Sequence, residues 1–374
     1  MLQATSVKQF KTVGLVLAFR GGWRLFQVRV NATAAALVLS AIAMGVLASG
    51  CSMVGAHRTA KPLPTPPAYV PISFASTPYA LAAAPNGAVW FSEYQNNVIG
   101  RLDPNGKVRF FKLDNTGFPV RLALDRKGAV WFTDAAANRI GQLGLGGQVR
   151  YFQLPTGHAG PAGITLGPDG NIWFTEHAAG KVARLTPDGR FVEYTLPHGG
   201  GPAGIISGPE SSLWFVEDSG SRIGQITLYG RIQEFPIPTP DSHPGPIAVT
   251  PQGKVWVTEL ATSRVAVVDE TKRPVDFALP VTGPPLGIAA GQDSAVWITV
   301  ARAHAVCRIG PGNSIEAFHT SRRVIPGMIA AAADGTFWFT EPNGKLAHLT
   351  PPTGIREFEV AAPQHPAAVA SAAP

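Results

Sequence analysis

The sequence predicts an all-β fold, a seven-bladed β-propeller with four antiparallel strands per blade, on three observations. Seven of the eight tryptophans (Trp90, Trp131, Trp173, Trp214, Trp256, Trp297 and Trp338) recur every 41 or 42 residues. A proline stands twelve residues before each: Pro78, Pro119, Pro161, Pro202, Pro244, Pro285 and Pro326. Between them, apolar runs of four to six residues are separated by Gly-containing turns, which supply the positive φ that tight hairpins need. A period of about 40–45 residues holding four short strands is that of a propeller blade.

One unit shows how the strands are read. In residues 160–196 the first strand is GITL, followed by the turn GPDG and a second strand NIWFTE. The third strand is KVARL, and after the turn TPDG the fourth is FVEYTL. An apolar β-branched residue follows the tryptophan by nine positions in six units (Ile99, Ile140, Val182, Ile223, Val265 and Val306), while Leu346 follows after eight in the seventh. The propeller is assigned to residues 69–360. YVPISF (69–74) and IREFEV (355–360) both suit the last outer strand, so ring closure stays open between them.

The chain has 374 residues, 45% hydrophobic and 15% charged, with 41 Gly and 34 Pro, the composition of a turn-rich globular body and not of a disordered one. Its two cysteines exclude a disulfide-stapled scaffold and lack zinc-site spacing. The net charge of +7 is carried by residues 1–67, where Lys8, Lys11, Arg20, Arg24, Arg29, Arg58 and Lys61 occur without any acid. The remainder balances 24 basic against 24 acidic residues. A neutral body has no long-range field to gather phosphates, so nucleic acid is excluded as an expected partner.

Residues 1–50 read as an export or membrane segment, because the uncharged run NATAAALVLSAIAMGVLASG (31–50) follows basic residues and ends in small ones. Leu47-Ala48-Ser49-Gly50-Cys51 resembles a bacterial lipobox, with Ala48 where the usual leucine stands, and makes Cys51 the candidate lipidation site. An uncleaved anchor or an ordinary signal peptide is the alternative. All of these place the body outside the cytoplasm, as a membrane-anchored lipoprotein of the periplasm or cell surface in the first case. Initiation near Val28 would give a leader of ordinary length. Residues 51–68 are a Pro-rich tether, and the Ala/Pro-rich tail 361–374 is expected to be disordered. A monomer is expected.

In an up-and-down blade the start of the first strand meets the end of the second, so the residues after each proline and three after each tryptophan should share the channel face. The latter are Glu93, Asp134, Glu176, Glu217, Glu259 and Glu341, with Val300 breaking the series. Six copies point to architecture: each carboxylate would bond donors beside it and hold adjacent blades together. A ring of acids could alternatively hold Mg²⁺ or Ca²⁺. The post-proline residues are Tyr79, Val120, Ala162, Ala203, Gly245, Leu286 and Gly327, of which only Tyr79 is polar. His158, His198 and His243 precede a proline closely and His177 follows Glu176, which puts all four in loops of one face, as solvated residues or as a cluster. Cys307 reads as a buried filler.

The repeated pattern, quoted from GPAGITLGPDGNIWFTE (160–176), GPAGIISGPESSLWFVE (201–217) and NNVIGRLDPNGKVRFFKL (96–113), resembles the virginiamycin B lyase (streptogramin B lyase) family. The resemblance implies a seven-bladed propeller and a Mg²⁺-dependent carbon–oxygen lyase that opens a cyclic depsipeptide ester by elimination. It also implies histidines directly after the proline in the last two blades and an acid before the last proline. Here those positions are Leu286, Gly327 and Ile325, while Tyr79 and Glu341 match a first-blade tyrosine and a last-blade glutamate. Imidazole is the suitable base for taking a proton from carbon near neutrality, and both copies are replaced. Two functions therefore stand. One is a propeller that binds a small molecule, peptide or protein at its channel face. The other is a related lyase with a relocated site, using His158, His198 or His243 with Glu259 and Glu341 at a metal.

Overall fold

The computed structural model describes residues 11–19 and 22–30, and then 78–359 except residues 94, 115–116, 322, 343 and 352–353. The candidate lipidation site Cys51, the apolar run 31–50, the tether, YVPISF and the tail all lie outside the described residues. The chain divides into two units, 1–58 and 59–374. In the first, Lys11–Phe19 and Gly22–Val30 pair antiparallel from Lys11↔Val30 to Phe19↔Gly22. Valine, leucine and aromatic residues favour this pairing, which the sequence reading had treated only as part of a charged leader. Among the described residues no helix is long and apolar enough to cross a membrane.

The second unit consists of seven four-stranded antiparallel sheets, each built from strands consecutive in sequence. They occupy residues 81–112, 119–153, 161–195, 202–236, 244–278, 285–319 and 329–359, here blades 1 to 7. This is the seven-bladed propeller expected from the tryptophan period. Blade 3 is typical, with strands Pro161–Leu166, Ile172–Glu176, Lys181–Leu185 and Phe191–Thr195. The proline opens the first strand, where its missing N–H leaves no ladder bond unmade. A register shift follows the proline in blades 2 to 6, bending the innermost strand at the channel.

Blades pack through their tryptophans. Trp131 of blade 2 lies among Ile164, Ile172 and Phe174 of blade 3, and Trp173 among Ile205, Leu213 and Phe215 of blade 4. In blades 1 to 6 the indole is backed by an outer-strand ring of its own blade; Trp173 and Tyr194, for example, stack with centroids 5.7 Å apart, while Trp338 of blade 7 stacks on His348 of the third strand. The indole N–H of Trp131 donates to Asp125 (2.9 Å) and that of Trp173 to Asp169 (3.1 Å), residues of the first hairpin turn. A buried Trp N–H thereby finds the partner it requires.

Blades 1–2, 2–3, 3–4 and 6–7 are joined by a hydroxyl two residues after the tryptophan. Thr175 accepts from the Gly163 N–H of its own blade (2.8 Å) and donates to the Ala203 carbonyl of the next (2.6 Å). Thr133 repeats this with Arg121 N–H and Ala162 carbonyl, at 3.2 and 2.8 Å, and Ser92 with Ala80 N–H and Val120 carbonyl. Thr299 donates to the Gly327 carbonyl. The expectation that the acids hold neighbouring blades together is corrected accordingly. The hydroxyl reaches the innermost strand of the next blade, and it both accepts and donates, whereas an ionised carboxylate only accepts.

Among the described residues the four strands of blade 7 are consecutive in sequence. Gly354–Glu359 is the outer strand of blade 7 and pairs with Lys345–Thr350. The innermost strand of blade 7 lies against that of blade 1. Leu346 and Trp338 pack there on Val89, Phe91 and Leu102.

Candidate functional site

In blades 2 to 6 the proline faces the residue three after the tryptophan across the first hairpin, as in Pro119↔Asp134, Pro161↔Glu176 and Pro285↔Val300. The hairpin register thus puts the two expected columns together at one end of the blade. Their side chains behave differently. All six acids are buried, none of them more than 1% exposed, and none lines the channel. The expectation that they share the channel wall with the post-proline residues is corrected: they turn into the blade, toward the third strand.

What they meet there varies. Asp134 accepts from Phe118 N–H (2.8 Å), Ala137 N–H (3.3 Å) and Arg139 Nε (2.8 Å). Glu259 accepts from the Thr262 hydroxyl (3.0 Å) and Glu93 from the Asn96 amide (3.2 Å). Glu176 and Glu217 are buried at both oxygens and poorly supplied with donors, with the carboxyls of Glu193 and Glu234 beside them. Lys181, across from Glu176, gives its ammonium to Glu193 (2.7 Å) and Thr156 (2.7 Å), and Arg222 stays 3.8 Å from Glu217. Burial, reinforced by the neighbouring Glu193 carboxylate, pushes Glu176 up to about 7. Burial and Glu234 do the same for Glu217, also to about 7. Glu259 is raised by burial, with Asp276 adding to it. Desolvation without donors disfavours the charged form.

The four loop histidines do not gather. His177 Nε2 lies 3.0 Å from Asp218 Oδ2 on the equivalent loop of blade 4, and this hydrogen bond raises the imidazole above its ordinary value. His198 Nδ1 meets Glu234. His158 and His243 are exposed. Among the described residues no three His, Cys, Asp or Glu side chains stand close enough to hold a metal ion. Cys307 is buried and free, its thiol pushed up to about 12 by desolvation.

The channel is a cavity of 340 Å³ walled by the innermost strands of all seven blades, mostly by aliphatic side chains. Leu286 and Gly327 are half-buried near its mouth. At Gly327 a Cβ would come within 2.5 Å of the Thr340 hydroxyl and 3.0 Å of its carbonyl oxygen, so a side chain there would require Thr340 to shift. Tyr79 packs against the blade 1–2 core with its ring under Arg121, whose guanidinium carbon is 5.2 Å from the ring centroid. Arg121 is the one charged residue on the channel wall among the described residues.

Sequence reasoning missed Arg121. A signal was present: two residues after the proline the other blades carry Ala80, Gly163, Gly204, Pro246, Gly287 and Met328, and only blade 2 carries a charge. The hydroxyl column (Ser92, Thr133, Thr175, Thr258, Thr299 and Thr340) was missed as well, although its spacing is as regular as that of the acids.

Fold and channel together define a seven-bladed propeller with its innermost strands around an apolar axial cavity. The model of the virginiamycin B lyase family matches residues 67–200 and 197–373, and the chain belongs to that family. A streptogramin B lyase structure is 32% identical, with 74% of this chain and 93% of that one covered at a TM-score of 0.70. A catalytically inactive virginiamycin B lyase from Staphylococcus aureus, solved with quinupristin, gives the same identity and TM-score, covering 74% of this chain and 95% of that one. Hydrazine synthase of Kuenenia stuttgartiensis, 14% identical with a TM-score of 0.60 over 83% of this chain and 99% of that one, shares the fold alone. No curated protein sequence matches the chain.

The Mg²⁺ that the family resemblance implies does not fit the residues present. Of the expected positions only Tyr79 and Glu341 carry a side-chain oxygen, since Leu286, Gly327 and Ile325 offer none. A single carboxylate with a phenol is a poor donor set for Mg²⁺. Glu259, Glu341 and the loop histidines do not assemble a replacement set.

Proposed function

We propose that this protein is an extracytoplasmic binding propeller, tethered to a membrane through Cys51, that takes a ligand at the mouth of its channel and does not carry out the family's elimination. One observation carries the reading. The two positions where the family resemblance puts proton-abstracting histidines hold Leu286 and Gly327, neither of which has a side-chain group that can accept a proton. An elimination needs a base within hydrogen-bond reach of the proton it removes. Aliphatic walls and a single cation suit retention of an apolar ligand instead, in a cavity at the small end of ligand-binding sizes.

Incubation of the full-length protein with Mg²⁺ and a streptogramin B depsipeptide tests this, read by chromatography and fragmentation because elimination leaves the mass unchanged. The ring is expected to stay closed. Ring opening that disappears in Glu341→Gln would overturn the binding reading in favour of a lyase.

A further inference from the structure

We infer that the channel mouth holds a carboxylate-recognition site formed by Arg121 and Tyr79, and that the ligand is a carboxylate ending an apolar body. The inference rests on the binding reading above and names the ligand class. Arg121 stands on the innermost strand of blade 2, Pro119–Leu124, two residues after the proline. Its main-chain N–H is fixed by the Thr133 hydroxyl, so the strand cannot shift the residue along the channel. The guanidinium lies over the Tyr79 ring of blade 1, and a cation held on an aromatic face keeps its edge donors available.

Those donors are not consumed by the protein. Among the described residues no protein acceptor bonds the Arg121 guanidinium: Nη1 is buried without a partner, and the Nε–Nη2 edge is the one left for a ligand. Other arginines near acids are paired, as Arg139 is with Asp134 and Asp114, Arg264 with Asp276 and Arg308 with Asp293. Arg121 makes no such ion pair, because the Asp134 carboxylate of its own blade points away into the sheet and is already engaged. An unsatisfied buried donor costs stability, and a charged one costs more. A bidentate carboxylate satisfies a guanidinium edge in the geometry it is built for.

The rest of the wall sets the other half of the ligand. Leu122, Ile164, Ile205, Ile247, Ile288 and Ile329 come from six different blades and surround the axis with aliphatic surface. A ligand with its carboxylate on Arg121 would lay its apolar body along these side chains and leave no second charge to satisfy. A free aliphatic acid and the C-terminus of an apolar peptide share this chemistry.

The test uses the full-length protein and titration calorimetry with matched pairs: octanoate against octanamide, and N-acetylphenylalanine against its amide. At least one carboxylate is expected to bind tenfold or more tightly than its amide, and the pair that shows the preference identifies the source. Arg121→Met, which keeps the aliphatic stem, should bring acid and amide to within about twofold, while Arg121→Lys retains part of the preference as a point charge without the planar fork. Equal affinity of acid and amide for the unaltered protein would overturn the inference and leave a binding propeller of another ligand class. Failure of every carboxylate to bind would overturn it too, and so would an undiminished preference in a folded Arg121→Met. Depsipeptide ring opening is the separate result that removes the binding reading itself.

Discussion

Val300 pairs across the sheet with Ala305, and the two stand where blades 2 to 5 oppose a carboxylate to a cation. The equivalent pairs are Asp134↔Arg139, Glu176↔Lys181, Glu217↔Arg222 and Glu259↔Arg264, and blade 7 has Glu341↔Lys345. The residue before the blade 6 proline is Pro284, which has no N–H, whereas Phe118 in that place donates to Asp134. Acid, cation and amide donor are thus lost together in one blade. Blade 1 departs in another way, keeping its acid opposite Val98 in place of a cation, with the Asn96 amide bonded to Glu93.

Val300→Asp therefore buries a carboxylate with neither cation nor amide to meet it. The expected cost is about 3 kcal/mol or more, of the size seen when one partner of a buried pair is missing. Adding Ala305→Arg should recover at least about 1 kcal/mol of that. Denaturant unfolding of the single and double variants measures both, and a double variant no more stable than Val300→Asp would show that the two positions do not couple.

Glu176 gives a pH dependence whose sign follows from its position. Its carboxyl titrates near 4.5 when the chain is unfolded and at about 7 when folded. The folded state therefore binds the proton more tightly. The stabilisation is fully present below pH 4.5 and is lost as pH rises through 7, at up to about 1.4 kcal/mol per pH unit. Glu193, Asp218 and Asp276 are shifted downward and act below that window. Glu176→Gln should flatten the fall in Tm between pH 5 and pH 7.5 and raise Tm at the upper end. An unchanged pH profile would mean that the carboxyl is not the titrating group.

The hydroxyl links between blades are open to an isosteric test. Thr175→Val keeps the shape of a fully buried side chain but strands the Gly163 N–H and the Ala203 carbonyl. Leaving such groups unsatisfied costs about 1–3 kcal/mol. A loss in that range, measured by chemical denaturation, is expected at Thr175. A variant as stable as the parent would return the joining of blades 3 and 4 to tryptophan packing alone.

The blade count and strand order were legible because Trp, Pro and turn glycines repeat in one register, and each has a reason to be in its place: a large wedge between sheets, a strand start without a ladder donor, a positive φ. The pairing of proline with acid followed from the same register. The direction of the acid side chains did not, because a hairpin register fixes which residues are opposite and not what the third strand offers them. Lys181 illustrates this, facing Glu176 in sequence pattern yet bonding Glu193 of the fourth strand. Arg121 was hidden for the opposite reason: it occurs once, and attention to what repeats passes over a residue whose meaning lies in not repeating.

A last prediction concerns a glycine that the repeat made visible without explaining it. Gly141 pairs with Phe132, and a Cβ built on it would lie 2.0 Å from the ring's Cζ. Phe132 lies across the third strand at that point, fully buried and edge-on to Tyr151 at 6.1 Å. Gly100 under Phe91 and Gly224 under Phe215 repeat the arrangement. Blades 3 and 7 carry Ala183 and Ala347 opposite Phe174 and Phe339, so there the ring stands clear of a methyl, as the smaller Val257 does opposite Ala266. Gly141→Ala must displace the Phe132 ring into a close-packed core, and overpacking of this kind costs about 1–3 kcal/mol. Thermal unfolding should show the loss, together with a changed near-ultraviolet signal from Tyr151. A variant that melts with the parent and keeps that signal would mean that the ring has room to move aside.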